Sequence, residues 1–564
     1  METKKELAIL LAGEAGQGLN SIEAILARLF KQSGFHVFAM KEYMSRVRGG
    51  ANSTLIRIAE ERVDAPVNTI DLFIPLTKDA WQHCRNFLTE RTIVVGEKAV
   101  VQHEPMHDIP FASIANELGD KRCASMVAAG AVAGLLDLDR AALQALVAKQ
   151  FAAKDGAMLA ANTQAAEKGM LAGRAIAVKA NLAFAIRADR GVPDEMMLTG
   201  TDALALGAIA GGCDAIFAYP MTPGSGVFAA LAQAAHAAGI VVEQVEDEIG
   251  VINMALGAWY AGARAMVSTS GGGFALMTEG ISLAGMTETP VVVHVGQRPG
   301  PATGLPTRSE QGDLNLVLHA GHGIFPRIIF APGTLAQAFA LAQRAFNLAD
   351  EYQIPVFILS DQYFVDMYHN LPEFDLTGMA NRNYTVTAEE DYKRYRLTAN
   401  GISPRGVPGC GPGRICVDSD EHDESGRITE DLDGISLQMK DKRFRKFDLV
   451  RGASLPPDLY GPANYTTLFV AWGSTLNAAR EALARTGLAD AALLHFSQVW
   501  PLHAETGKYL ARAKRIVAIE NNQDGAFANL LRHETGAMLE RPILKYNGLP
   551  FFVEELADRM KGGI

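Results

Sequence analysis

Tyr219-Pro-Met-Thr-Pro223 closes the strand-like run 215–218, Glu246-Asp-Glu248 follows the run 241–245, and Thr269-Ser-Gly-Gly-Gly273 follows the run 265–268. Helical tracts long enough for crossovers separate the runs, so the three loops fall at the C-terminal ends of successive strands. In an open parallel sheet that edge is where ligands bind. Further runs at 291–295, 327–330 and 356–359 repeat the alternation, which predicts an α/β protein with a doubly wound parallel sheet.

Upstream, residues 7–12, the turn Gly13-Glu-Ala-Gly16-Gln-Gly18, an apolar-periodic helix to about Ser33 and the run 35–40 read as one βαβ unit. Strand signals at 72–75 and 92–95 follow, and an Ala-rich helical tract ends near Gly191-Val-Pro-Asp194, where a first boundary is expected. From about Asn370 to Pro457 periodicity weakens. Pro404, Pro408 and Pro412 lie there among glycines, ahead of the acidic run Asp418-Ser-Asp-Glu-His-Asp-Glu424. A stretch of that length inside a compact chain reads as a connector draped over something else. Runs at 467–472, 493–496 and 516–520 predict a third, smaller α/β domain.

With 564 residues, 48% of them apolar and 20% charged, the chain has ample core material for several domains. Its net charge of -11 is spread out and no long Lys/Arg run occurs, so nucleic acid is not an expected partner. The first apolar strand is too short for a signal segment, and the longest apolar stretches are interrupted by Asp214 or Arg264; a cytoplasmic protein without membrane attachment is expected. Five scattered cysteines, none in a C-x-x-C pair, support neither a disulfide framework nor a self-contained metal or iron–sulfur site.

Several residues stand out at the strand ends. Gly16 and Gly18 precede a helix and offer backbone N–H groups to a phosphate, with Arg46 and Arg48 expected at the same sheet edge; a plain tight turn is the competing reading. Thr222, between Pro220 and Pro223, is held in a pre-set loop, against an ordinary strand-to-helix loop in which Ser225 caps the helix. Of Glu246, Asp247 and Glu248, at least one should serve only to complement a helix dipole. Arg298, in Gly296-Gln-Arg-Pro-Gly-Pro301, and Arg308, in Pro306-Thr-Arg-Ser-Glu-Gln-Gly-Asp313, suit bidentate carboxylate binding, with surface pairing to Glu310 or Asp313 as the alternative. His422, inside its acidic run, is a weak metal-ligand candidate.

These residues carry a resemblance. Tyr219-Pro-Met-Thr-Pro223, Glu246-Asp-Glu248, Ser268-Thr-Ser-Gly271, Glu288-Thr-Pro290, Arg298-Pro-Gly-Pro301, the stretch from Gly304 to Asp313, Gly401-Ile-Ser-Pro404 and Asp420-Glu-His-Asp-Glu424 occur in one order. In this set and order the chain resembles, almost end to end, the alpha subunit of the 2-oxoacid:ferredoxin oxidoreductases, in the form with a fused N-terminal gamma-like domain. One departure is Gly272, where many relatives carry Pro.

The resemblance implies a gamma-like domain closing over coenzyme A (1–192), a thiamine-diphosphate pyrimidine-binding-type catalytic domain (193–370), an extended connector (371–457) and a transketolase C-terminal-like domain (458–564). It implies conversion of a 2-oxoacid, coenzyme A and oxidised ferredoxin into acyl-CoA, CO2 and reduced ferredoxin through a thiamine ylid. The fused layout points to 2-oxoglutarate, with pyruvate or branched-chain 2-oxoacids as alternatives and a non-catalytic coenzyme A-binding assembly module as a third. By the same resemblance Glu248, with Glu246 as fallback, would meet the aminopyrimidine ring of thiamine diphosphate. Thr269 and Ser270 would line that cofactor. Thr222 and Arg298, flanked by Tyr219 and Arg308, would hold the substrate, and Gly16, Gly18, Arg46 and Arg48 the phosphates of coenzyme A. No G-D-G motif is present, so Mg2+ and a 4Fe–4S cluster are expected on a beta subunit, in a heterotetramer of two alpha and two beta chains that passes electrons to ferredoxin.

Overall fold

A computed structural model describes residues 5–45 and 49–562. The chain forms two compact units. The first is the segment ending at Leu198 with Asp366–Glu373 and Phe552–Leu556; the second is Thr199–Val365, Phe374–Phe551 and the segment starting at Ala557.

In the first unit, β1 (Glu6–Glu14), α1 (Leu19–Gln32) and β2 (His36–Glu42) follow the expected order. The two strands run parallel to each other but are not neighbours. An additional strand, β3 (Ala51–Ala59), lies between them and is antiparallel to both, with Glu14 opposite Ala51 and Glu42 opposite Ser53. Its polar start and the buried Arg57, which donates to Glu6 at 3.1 Å and to the Ala65 carbonyl at 3.1 Å, conceal it in the sequence. The loops after β1 and β2 therefore open at one edge of an eight-stranded sheet. Behind it, α2 (Ala124–Leu135) and α3 (Gly156–Lys179) cross at glycines: a methyl on Gly130, Gly134, Gly169 or Gly173 would come within 2.0–2.2 Å of a carbonyl oxygen of the other helix.

The second unit holds the predicted doubly wound sheet. Its strands are β4 (Ala215–Ala218), β5 (Val241–Gln244), β6 (Ala265–Ser270), β7 (Val291–Gln297), β8 (Ile328–Phe330) and β9 (Pro355–Asp361). The spatial order is β8-β9-β7-β6-β4-β5, all parallel, with an antiparallel edge strand Gln498–Trp500 beyond β8. From β4 the chain steps outward through α4 (Ser225–Ala238) to β5, then returns past β4 through α5 (Glu248–Tyr260) to β6. With right-handed crossovers that reversal puts α4 and α5 on opposite faces and opens a crevice above the carboxyl ends of β4 and β6. A five-stranded sheet with the predicted core strands Thr467–Trp472, Ala491–Phe496 and Arg515–Glu520 completes the unit.

The weakly periodic stretch contains a helix that its pattern hides, α7 (Ile435–Gly452). It buries charge rather than an apolar stripe: Lys442 and Lys446 each lie 2.5 Å from a carboxylate oxygen of the buried Glu288. Arg394 donates to the Glu288 carbonyl at 2.7 Å, and Glu288 adopts a left-handed φ of 49°. Among the described residues, no helix is long and apolar enough to cross a membrane.

Two fully buried histidines are hydrogen-bonded only to uncharged groups among the described residues. The Ser268 hydroxyl donates to the Gly224 carbonyl at 2.7 Å, so it can only accept from His294 Nδ1 at 2.8 Å. The Ser360 hydroxyl then donates to Nε2 at 2.8 Å. His495 Nε2 donates to the Gly473 carbonyl at 3.1 Å. Burial pushes both imidazoles down to about 4. An unfolded chain binds these protons from about pH 6.5 downward, so each histidine removes stability as pH falls from there to about 4. Asp313 and Glu23, pushed up to about 7 by burial, act in the opposite sense, so the effect is read as a difference. In urea titrations, the stability of wild type relative to His294→Gln is expected to fall by about 2 kcal/mol between pH 7.5 and pH 5; a constant difference would mean that His294 titrates normally.

Candidate active site

The loop after β4 is fastened from two neighbouring strands. A Cβ on Gly224 would lie 2.4 Å from the Thr269 carbonyl oxygen, so the loop rests directly on the end of β6. From the end of β7, the Arg298 guanidinium donates to the Thr222 carbonyl at 2.6 Å. Thr222 and Arg298 are thus brought together, through the threonine backbone rather than its side chain. Ser225 does not cap α4: it is the first helical residue, and the N-cap is Gly224, without a side-chain hydrogen bond.

The three consecutive acids separate by burial. Glu246 and Asp247 are exposed, and Asp247 caps α5 by accepting from the Gly250 N–H at 2.8 Å. That contact satisfies the helix start. Glu248 is 2% exposed, and its Oε1 has no hydrogen-bond partner. Burial, reinforced by Asp247, raises its pKa against the pull of the helix-start N–H.

Glu248 converges with β6 on the glycine turn that opens the short helix α6 (Gly271–Leu276). A Cβ on Gly273 would fall 2.3 Å from Glu248 Oε1 and 2.3 Å from Thr269 Oγ1. One on Gly271 would fall 2.2 Å from Asp313 Oδ1, and one on Gly272 3.7 Å from Met221 Sδ. The bare turn therefore lets two carboxyl groups and the loop after β4 meet. Arg298 is 9% exposed, and burial lowers its pKa while Asp313 opposes that shift. Asp313 is pushed up to about 7 by burial and by Glu310, against Arg298.

Four polar atoms around this turn are shut off from water without a partner among the described residues: Glu248 Oε1, Ser270 Oγ, Arg298 Nε and Asp313 Oδ2. Folded proteins seldom leave such groups unpaired. Two carboxyl groups, one hydroxyl and one cationic donor around a crevice suit a polar ligand that carries both hydrogen-bond donors and a carboxylate.

Other expected residues land elsewhere. Tyr219 lies exposed at the rim. Arg308 packs its aliphatic stem over Gly548. The stretch following it is a seam between the two sheets of this unit: Ser309 donates to Asp361 at 2.9 Å, while Gln311 donates to the Trp472 carbonyl at 2.8 Å and accepts from the Asn521 N–H at 2.9 Å. Only its last residue, Asp313, reaches the glycine turn. The expectation for Asp313 is a surface pairing partner, and its place at the end of a strand-following motif is the signal in the sequence that it could reach a site. His422 is a core residue, stacked on Tyr395 with ring centroids 3.8 Å apart, and no cluster of metal-ligating side chains occurs among the described residues.

In the first unit, Gly16 and Gly18 both have positive φ, 93° and 78°. Gly18 caps α1 without a side chain, and the first turn contains no acid, so the helix N-terminus is open to an anion. Arg46 and Arg48 lie outside the described residues.

Residues 206–441 match the family model described as pyruvate flavodoxin/ferredoxin oxidoreductase, thiamine diP-bdg, and residues 8–172 match that described as pyruvate ferredoxin/flavodoxin oxidoreductase. The chain is 28% identical over 622 residues to the 2-oxoacid:ferredoxin oxidoreductase subunit alpha of a Sulfolobus species, covering 98% of this chain and 96% of that one. It is 30% identical over 349 residues to the 2-oxoglutarate synthase subunit KorA of Methanothermobacter thermautotrophicus, covering 61% of this chain and 92% of the relative. Among solved structures, the 2-oxoglutarate:ferredoxin oxidoreductase from Magnetococcus marinus with 2-oxoglutarate, coenzyme A and succinyl-CoA bound superimposes with a TM-score of 0.92, at 31% identity and 99% coverage of both chains.

Proposed function

The chain belongs to the 2-oxoacid:ferredoxin oxidoreductases as an alpha-type subunit, and from that premise we propose that it converts 2-oxoglutarate, coenzyme A and oxidised ferredoxin into succinyl-CoA, CO2 and reduced ferredoxin. The observation that carries the reading is the cluster of unpaired buried polar atoms where Glu248, Ser270, Arg298 and Asp313 meet at the crevice between β4 and β6.

Thiamine diphosphate, when bound, supplies a nucleophilic carbon and a sink for the electron pair left by decarboxylation. Glu248 would accept from, and exchange a proton with, the aminopyrimidine ring. Its burial keeps water from competing, and Asp247 frees it from capping duty. Thr269 and Ser270 would line the same ring. Arg298, already oriented by the Thr222 carbonyl, would bind the substrate carboxylate with its remaining N–H groups. In the first unit, the open N-terminus of α1 at Gly16 and Gly18, with Arg46 and Arg48, would receive the phosphates of coenzyme A.

The chain is proposed to work with a beta subunit that supplies Mg2+ and a 4Fe–4S cluster. The five cysteines are all free and dispersed, and around the crevice Tyr219, Ile249, Leu276 and Leu305 expose apolar surface, as does the edge strand β5, where Val241 is 60% exposed. Surface of that kind marks an interface. The test is co-expression with a candidate beta subunit, followed by anaerobic, coenzyme A-dependent viologen reduction over a panel of 2-oxoacids. Reduction with 2-oxoglutarate supports the reading, whereas preference for pyruvate or a branched oxoacid changes the substrate. In the same assay Arg298→Ala is expected to raise the 2-oxoacid KM about 10- to 100-fold, the loss of one charge-assisted contact. If KM and kcat are both unchanged, Arg298 does not hold the substrate carboxylate.

A further inference from the structure

We propose that Asp313 works in its protonated form as part of the 2-oxoacid site, donating its carboxyl O–H to the substrate carboxylate that Arg298 binds. This rests on the proposed function and adds a residue to it.

The geometry places the group. The Asp313 carboxyl lies against Gly271, where a methyl would come within 2.2–2.4 Å of its carboxyl atoms. Its backbone N–H donates to Gln297 Oε1 at 3.1 Å, which ties it to the end of β7 next to Arg298. Oδ2 is shut off from water without a partner, and Arg298 Nε is likewise unpaired. Arg298 and Asp313 attract each other, yet no ion pair joins them among the described residues, so both remain available to one ligand.

Three further charged groups surround the site. Glu310 lies on the same segment and raises the pKa of Asp313; Glu310 in turn is raised by burial and by Asp524; and Glu248 stands across the glycine turn. Burial and Glu310 disfavour a charge on Asp313, while Arg298 favours it. A bound oxoacid adds another negative charge and consumes the Arg298 field. Ionised, Asp313 would repel the substrate and compete for Arg298; protonated, it donates to an anion in a water-poor site, where such a bond is strong. Binding of the oxoacid above neutrality therefore takes up one proton from solvent.

The experiment uses the complete alpha–beta complex at saturating coenzyme A. In the wild type the KM for 2-oxoglutarate is expected to climb about tenfold per pH unit above pH 7. Asp313→Asn, which cannot ionise, is expected to hold KM independent of pH, while Glu310→Gln keeps a rising limb. A wild-type KM level through pH 8.5, or the same slope in Asp313→Asn, overturns the proposal. If Asp313→Asn fails to fold, calorimetry of the wild-type complex with unreactive 2-hydroxyglutarate, in two buffers of different ionisation heat at pH 7.5, decides: proton uptake sustains the role and its absence removes it. Lack of turnover with every 2-oxoacid would instead count against the proposed function.

Discussion

Glu248→Gln is expected to cut coenzyme A-dependent turnover by about 100-fold or more, while the complex assembles and unfolds as the wild type does. Glutamine keeps the size of the side chain but cannot hold and return a proton. The fold should tolerate it, because the start of α5 is capped by Asp247 and Glu248 Oε1 satisfies no group of the protein. Glu246→Gln is the control: that side chain is exposed, and turnover should persist. Measured as single-turnover reduction of a viologen, retention of activity in Glu248→Gln with loss in Glu246→Gln would move the role two residues back. Retention in both would favour a chain that binds and assembles while its partner does the chemistry.

The second large effect is on stability. Glu288→Gln is expected to destabilise the second unit by about 3–5 kcal/mol. Burial by itself would raise the pKa of this carboxyl, but Lys442, Lys446 and Arg394 hold it well below the usual carboxylate range. Removing the one anion leaves buried cations facing each other and frees α7 from the core. Burial pushes Lys446 down to about 8 even with Glu288 beside it; without that anion it sheds its proton at lower pH, so the deficit should shrink as pH rises toward about 8 and level off above it. Replacing both partners, as in Glu288→Gln with Lys446→Met, should recover part of the loss, because one fewer charge is stranded. Urea titrations with limited proteolysis of residues 371–457 measure both; equal stability of wild type and Glu288→Gln would mean that the ion cluster is dispensable.

The sequence by itself determined where the chain turns and which loops share an edge. The runs 215–218, 241–245, 265–268, 291–295, 327–330 and 356–359 became β4 to β9 because hydrophobic period and small-residue loops are local properties, written in consecutive residues. Motif order did the same for the family. The tertiary structure decided what no local pattern encodes. It made Glu248 buried and Glu246 exposed, turned the stretch from Ser309 to Gln311 into a seam between sheets, slipped β3 between β1 and β2, and hid α7 behind inward-facing lysines. Burial depends on which atoms lie nearby in space, and the groups packed beside Glu248 and Asp313 come from β6, the glycine turn and the end of β7. Residues so far apart in sequence share an environment only after the sheet has folded.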